Sequence, residues 1–331
     1  MENVLVIGGN GFLGFALVQA LKKLGVKTLR SFDLNLPPDP DIASTVGDLR
    51  NPEKVLEACQ GMDTVFQTAS LVDWGLRSRE RLMSINVQGN RNVIAACQRS
   101  GVKRLIYTSS IDVVFDGTPI RNGDESLPYP QKHLDDYGYS KALAEQDVLT
   151  ANTKDGLQTC SLRAAGMYGP GDRTRFPSIL RSARAGKMMY MGDGSARFDH
   201  VYIANMVEAH LCAARALQPG SPVSGEAYFI NDHNTGNFYE FLTPFLSALG
   251  FNVPSQRMPT SLAYGLAVTL ETLSCVGLGP STPLLTRYVV LSTCRDFYFN
   301  SRKAERDFGY QPVTSEEQAF AETLAWLKTR K

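Results

Sequence analysis

Short apolar runs alternate with stretches of helical period through the first half of the chain. Val4-Leu5-Val6-Ile7 ends at glycine and reads as a strand. Phe12 to Leu24 carries apolar residues at helical spacing and stops at Gly25. Thr28 to Asp33 reads as a second strand. Pro52 to Cys59 reads as a short helix with proline suited to its first turn. Thr64 to Thr68 is a third strand, Arg81 to Arg99 a long helix closed by Gly101, and Arg104 to Thr108 a fourth strand. Tyr137 to Leu149 is a helix with Asp135 and Asp136 as candidate caps, and Thr159 to Arg163 a fifth strand. This alternation predicts an α/β fold, a doubly wound parallel sheet with helices on both faces. After Gly169 the pattern breaks into glycine- and proline-rich connections and separate helices.

The first strand runs directly into Gly8-Gly9-Asn10-Gly11-Phe12-Leu13-Gly14. Glycines at 8, 11 and 14 suit a tight turn, a close backbone approach to a pyrophosphate, and close helix-to-sheet packing. The helix that follows would aim its N–H groups and positive dipole end at the phosphates. Three glycines alone are weak evidence, but here they follow a strand, open a helix and precede an acidic strand end at Asp33. Gly8, Gly11, Phe12, Leu13 and Gly14 are therefore expected to cradle a dinucleotide in a Rossmann-type domain. Asp33 would accept hydrogen bonds from the adenosine ribose. A carboxylate there repels a 2′-phosphate, so NAD is favoured over NADP, with Arg30 nearby moderating the preference.

Tyr137-Gly138-Tyr139-Ser140-Lys141 holds the one Y-x-x-x-K match in the chain, at the start of the helix after the fourth strand. Residues four apart share a helix face, so both side chains would point into one cleft. A free tyrosine titrates near ~10 and is a poor base at neutral pH. A nearby ammonium and a positively charged nicotinamide would both favour its phenolate. Tyr137 could then exchange a proton with an alcohol or ketone while hydride moves to or from the nicotinamide. Lys141 would also hold the nicotinamide ribose. Ser110, at the end of the fourth strand, is placed to fix the substrate oxygen, with its neighbour Ser109 as the alternative.

Composition narrows the picture in three ways. The 331 residues are 43% apolar and 20% charged, which implies a packed core and excludes wholesale disorder. Lys+Arg 34 against Asp+Glu 33 leaves +1, without the cationic surplus that nucleic-acid binding needs. The six cysteines and four histidines are scattered without zinc-ligand spacing, so no metal is expected and the thiols read as reduced. The N-terminus lacks a basic region followed by a long apolar stretch, which reads as a cytoplasmic chain. Residues 261–279 carry a single charge, Glu271, with Leu262, Leu266, Leu270 and Leu273 along one face. Such a helix would cover a substrate or touch a bilayer surface rather than span it.

Taken together, the glycine loop, Asp33, Gly47-Asp48-Leu49, Tyr107-Thr108-Ser109-Ser110 and the Y-x-x-x-K resemble an extended short-chain dehydrogenase/reductase. Within that group the chain resembles the 3β-hydroxysteroid dehydrogenase/isomerase and 4α-carboxysterol dehydrogenase family. The stretches that carry the likeness are Gly8 to Gly14, Tyr107 to Asp112, Leu162 to Gly171 and Tyr202 to His210. The resemblance covers essentially the whole chain. It implies a catalytic set of Ser110, Tyr137 and Lys141. It implies adenine contacts from Asp48 and Leu49, phosphate and ribose contacts from Ala69 and Ser70, and a carboxamide-side contact from Met167 in the Ala165-Gly166-Met167 turn. Asn86 resembles a position that supports the catalytic lysine through a water. Gln67 stands where relatives commonly carry histidine, and Asp112 follows the serine at a variable position with an open role.

The resemblance divides the chain into a cofactor domain over residues 1–168, with later segments returning to it, and a substrate region over 169–331. It implies NAD as cofactor and oxidation of a hydrophobic 3β-hydroxysteroid or sterol to the 3-ketone, with coupled 4-decarboxylation or isomerisation where the substrate permits. Peripheral membrane contact through 261–279 and a homodimer through the helices holding Arg91 and Tyr137 go with it. Two other readings use the same residues. A nucleotide-sugar epimerase or dehydratase shares the Ser, Tyr and Lys, but the apolar C-terminal third suits a charged diphosphate poorly. A non-catalytic NAD(P)-sensing protein usually lacks the tyrosine or lysine, and both are present here.

Overall fold

The computed structural model describes residues 1–73, 78–153, 156–279, 283 and 285–330. Seven parallel strands form the central sheet. Numbered within that sheet in chain order, they are β1 (Asn3–Ile7), β2 (Thr28–Asp33), β3 (Ala43–Val46), β4 (Thr64–Gln67), β5 (Arg104–Ser110), β6 (Gln158–Ala164) and β7 (Glu226–Ile230). Their spatial order is β7-β6-β5-β4-β1-β2-β3. The order reverses between β1 and β4, and a ligand crevice is expected at the carboxyl ends of strands at such a switch.

Alternate residues of β1 serve two separate cores. Val4 and Val6 pack with Leu13, Leu17 and Leu21 of the helix Phe12–Lys23 and with the helix Ile203–Ala216. Leu5 and Ile7 pack on the other face with Val55, Cys59, Val93 and Cys97 of the helices Pro52–Cys59 and Gly89–Arg99. Because both sheet faces are covered there, the inner strands β1 and β4 read as short, mostly apolar runs rather than as alternations.

The sequence places a single helix over Arg81 to Arg99. The structure starts it at Arg79, as an α-helical turn Arg79–Leu82, and inserts a π-helical turn Met83–Gln88 before Gly89–Arg99. The helix Asp136–Thr150 is capped by Asp135, whose carboxylate accepts from the Gly138 N–H, while Asp136 lies in the first turn. A smaller sheet joins Thr235–Gly236, Phe198–Tyr202 and Phe297–Phe299 from beyond residue 168 to Ile120–Gly123, with Gly166–Tyr168 paired to Phe198–Tyr202, so that two segments before residue 169 take part in it. The chain also returns β7 to the edge of the central sheet, beside β6.

The apolar segment forms the helix Thr260–Cys275. Its buried positions are the small residues Ala263 and Ala267, and the leucines that mark its stripe face outward, Leu262 at 60% and Leu266 at 38% exposure. The leucine face therefore does not cover the interior. Among the described residues no helix is long and apolar enough to cross a membrane.

Candidate functional site

The glycine loop leaves β1 at the switch between β1 and β4. Gly8 has φ +78, and a Cβ there would stand 2.7 Å from the Ala69 nitrogen at the end of β4. A Cβ on Gly14 would stand 2.0 Å from the Gly8 carbonyl oxygen. The two glycines thus let β1, the β4 end and the helix Phe12–Lys23 converge. That helix starts at Gly11 with no side-chain cap and no acidic residue in its first turn. Its first N–H groups and positive end remain available to an anion. Phe12 and Leu13 open this turn, Leu13 packing inward.

Asp33, at the end of β2, accepts from the Asn10 N–H at 3.0 Å and from the Leu34 N–H at 2.7 Å, which fixes its carboxylate beside the loop. The Asn10 Oδ1 is buried without a hydrogen-bond partner, an orphaned acceptor in the same cradle. Arg30 does not stand beside Asp33 as a moderating charge. Its Nη1 donates to the Glu57, Ala58 and Gln60 carbonyls at the end of the helix Pro52–Cys59. Asp48 pairs with Arg50, Nη2 to Oδ2 at 2.6 Å, and Leu49 is buried beneath Gly89. The Arg50 pairing holds the Asp48 carboxyl below the usual carboxylate range.

Ala69 and Ser70 follow β4. Gln67 accepts from the Ala69 N–H at 3.1 Å, a structural role at the strand end. Ser70 donates to Asn86 Oδ1 at 3.3 Å, and Asn86 Nδ2 donates to Ser140 Oγ at 3.0 Å. Asn86 lies in the π-helical turn and bridges the loop after β4 to the helix carrying Tyr137; its hydrogen bonds are to Ser70, Leu71 and Ser140. π-Turns recur at functional sites because the extra residue re-aims side chains. Met167 lies on the strand Gly166–Tyr168, opposite Val201.

Tyr137, Ser110 and Lys141 are all buried and converge near the carboxyl end of β5. The Ser70 and Ser110 hydroxyls both interact with the Tyr137 hydroxyl and favour its anion. Burial works the other way and pushes the phenol up, reinforced by the carboxylates of Asp112 and Asp135. Lys141 donates to the Thr108 carbonyl at 2.6 Å and sits 4.2 Å from the Tyr107 ring centre. Burial lowers its pKa to about 7, against the nearby charges of Glu145 and Asp112. Ser110, rather than Ser109, meets the tyrosine; Ser109 Oγ is buried without a partner.

Sequence reasoning missed what surrounds the trio. Ser110 Oγ donates to Asp112 Oδ2 at 2.7 Å, and the Tyr288 hydroxyl donates to Asp112 Oδ1 at 2.7 Å. Burial raises the Asp112 carboxyl, and burial together with Asp112 raises Asp135 to about 7. Tyr288 comes from the helix Arg287–Cys294, 176 positions along the chain, and no local signal marks it.

A doubly wound parallel sheet, an uncapped helix behind a glycine loop and a Ser/Tyr/Lys cluster at the strand ends define a nucleotide-dependent oxidoreductase scaffold. The 3-beta hydroxysteroid dehydrogenase/isomerase family matches residues 5–260, and the chain belongs to this family of dehydrogenases. It is 38% identical to "3-beta-hydroxysteroid dehydrogenase" of Mycolicibacterium neoaurum, across 98% of this chain and 91% of that one. It is 40% identical to "3beta-hydroxysteroid-dehydrogenase/decarboxylase isoform 1" of Arabidopsis thaliana, across 97% of this chain and 78% of the relative. The solved structure of MoeE5 in complex with UDP-glucuronic acid and NAD shares the fold, with TM-score 0.75, 22% identity, and coverage of 99% and 100%.

Proposed function

We propose that this chain oxidises the 3β-hydroxyl of a steroid or sterol to the 3-ketone, using NAD. The observation that carries the reading is the convergence of Ser110, Tyr137 and Lys141 beside an uncapped glycine-loop helix, in a member of this family. The cradle at Gly8, Gly14 and Asn10 fits a dinucleotide, and Asp33 is held where it can take the ribose hydroxyls. Asp48, Leu49, Ala69, Ser70 and Met167 would line the remainder. Arg30, bonded to the carbonyls at the end of the helix Pro52–Cys59, does not offset the repulsion of a 2′-phosphate by Asp33, which supports NAD over NADP. Bound NAD supplies the hydride acceptor. Ser110 fixes the substrate oxygen, Tyr137 takes its proton, and Lys141 holds the ribose and adds positive charge to the cleft.

A 4-carboxyl or a Δ5 double bond on the substrate would then leave or shift, because the new ketone stabilises the enolate. The outward leucine face of Thr260–Cys275 would rest on a lipid surface, from which such a substrate partitions. A homodimer would use the helices that carry Arg91 and Tyr137.

The test is incubation with NAD and a panel of 3β-hydroxysteroids and 4α-carboxysterols, followed at the absorbance of reduced cofactor, with UDP- and dTDP-sugars analysed for products. Steroid-dependent reduction is expected. Sugar turnover without steroid turnover would replace the reading with that of an epimerase. Sedimentation with phosphatidylcholine vesicles tests the apolar face, and a Leu266→Glu variant should bind them more weakly than wild type.

A further inference from the structure

We propose that Arg175, held in place by His200, is a specificity-determining residue that takes a carboxylate carried by the substrate; the proposal rests on the dehydrogenase reading above. Arg175 opens the helix Arg175–Arg184, shortly after the strand Gly166–Tyr168. Its guanidinium folds back onto that strand. Nη1 donates to the Gly166 carbonyl at 2.8 Å, and Nη2 donates to His200 Nδ1 at 2.9 Å. The rings of Phe198, Phe238 and Phe241 box it in, with centres 5.5, 5.1 and 5.6 Å from its central carbon. Gly166 comes two residues after Ala164, which pairs with Ser110 across β5 and β6. The cation therefore stands beyond the carboxyl ends of the strands, where Ser110 emerges and where ligands of such sheets lie. Tyr288, bonded to Asp112 beside Ser110, is within its electrostatic reach.

This cation has no counter-ion. A guanidinium carries five N–H donors, and the two bonds it makes here go to neutral acceptors. Among the described residues no carboxylate lies within ion-pair distance of it. Asp172, three residues earlier, is committed to the helix start: its oxygens accept from the N–H groups of Thr174, Arg175 and Phe176. Burial pulls the guanidinium down to about 10, so it stays charged at neutral pH. His200 does not share that charge. Its Nδ1 accepts from the guanidinium, so the ring is neutral with its proton on Nε2, and burial beside Arg175 holds it well below its ordinary range. His200 is 4% exposed, stacks on Phe241 at 3.7 Å, and its Nε2 has no hydrogen-bond partner.

An unpaired cation beside an unsatisfied N–H is a costly arrangement in a fold. The three phenylalanines attract the cation through their faces but carry no net charge, so they hold it without neutralising it. A planar carboxylate matches the guanidinium fork and supplies the missing charge, and the aromatic walls strengthen the pair by keeping water away. Arg175 is half-buried, so its side chain is still reached from outside. A substrate with its 3β-oxygen at Ser110 and Tyr137 and a carboxylate on Arg175 would be fixed at two points. A carboxyl at C4 and one at the end of the side chain offer the guanidinium the same chemistry, and the test separates them.

The test measures kcat/KM with NAD for wild type, Arg175→Met and Arg175→Lys. The substrates are a 4α-carboxy-3β-hydroxysterol and a 3β-hydroxysteroid with a side-chain carboxylate, each as free acid and as methyl ester. A hydrogen bond to a charged partner is worth roughly ten- to a hundredfold, so wild type should prefer one acid over its own ester by that factor. The preferred acid shows where the carboxylate sits. Arg175→Met should bring the acid-to-ester ratio close to one, through KM of the acid, and Arg175→Lys should retain part of the preference. A purely structural role would slow acid and ester in the same proportion and leave the ratio untouched. Wild type that treats both acids like their esters, or an unchanged ratio in Arg175→Met, would overturn the anchor. If Arg175→Met does not fold, the wild-type ratio and its decline in Arg175→Lys decide. Turnover of esters without any acid preference sinks the anchor alone, whereas no turnover of any steroid by wild type sinks the reading on which it rests.

Discussion

Gly14→Ala tests the convergence of the glycine loop and the first helix with a single methyl group. The added Cβ would lie 2.0 Å from the Gly8 oxygen, 2.7 Å from the Gly8 carbonyl carbon and 2.9 Å from Thr68 Oγ1. Thr68 cannot simply rotate away, because its hydroxyl donates to the Ile7 carbonyl at 2.8 Å. An ordinary carbon-to-oxygen approach is about 3.3 Å, so the helix start must retreat by about 1.3 Å. Overpacking of this kind costs about 1–3 kcal/mol. At roughly 2–4 °C per kcal/mol for a large domain, Tm should fall by about 2–12 °C. The retreat also withdraws the helix N–H groups from the pyrophosphate. One such charged hydrogen bond is worth about 1.5–3 kcal/mol, so NAD affinity should fall roughly ten- to a hundredfold. Gly265→Ala is the control. Gly265 lies on the exposed side of Thr260–Cys275 with nothing within 4 Å of an added Cβ, so alanine should stabilise by up to about 1 kcal/mol and leave NAD binding alone. Differential scanning fluorimetry and calorimetric titration with NAD read both effects. A Gly14→Ala protein with wild-type Tm and wild-type NAD affinity would refute the packing argument.

Other perturbations reach other parts of the account. Asp33→Ala should weaken NAD more than NADP, measured by competitive binding; an unchanged ratio would count against a ribose role. Lys141 titrates at about 7 in the folded chain and near ~10.4 unfolded, so between those values the unfolded chain binds more protons and NAD-free stability should rise with pH. Lys141→Met should flatten that slope in urea denaturation at pH 7 and 9 while abolishing turnover, and an unchanged slope would contradict the burial argument. Arg163 donates to Glu145 from Nε at 3.0 Å and Nη2 at 2.8 Å in the core, so Arg163→Met should cost about 3–5 kcal/mol by stranding a buried carboxylate. A loss below the scatter of the denaturation curves would show that the pair is already solvated.

Five strands of the central sheet were legible, most clearly the buried apolar runs of β1 and β4, with glycine or helix-start signals between them; β3, a short exposed edge strand, and β7, which joins the sheet from beyond residue 168, were not. The glycine loop was legible because three positions in seven must lack a Cβ, and the structure shows what each of two would strike. Arg30 was readable too: residues an odd number apart on a strand point to opposite faces, so position 30 could not stand beside position 33. The helical period of 261–279 revealed an apolar face but not its direction. The small residues Ala263 and Ala267 took the inward side because they allow close packing against Val290 and its neighbours. The π-turn around Asn86 adds a residue to a helix without a compositional mark. The Tyr288–Asp112 bond joins residues brought together only by the docking of the C-terminal helices, which no short window contains.

The most direct test of the central claim is the fate of the hydrogen on C3. A 3β-hydroxysteroid carrying deuterium at C3 is incubated with the protein and NAD, and the cofactor is recovered for mass spectrometry. The account predicts one deuterium in the reduced nicotinamide for each 3-ketosteroid formed, and neither product with Tyr137→Phe. Ketone formed without deuterium in the cofactor, or undiminished transfer by Tyr137→Phe, would contradict it.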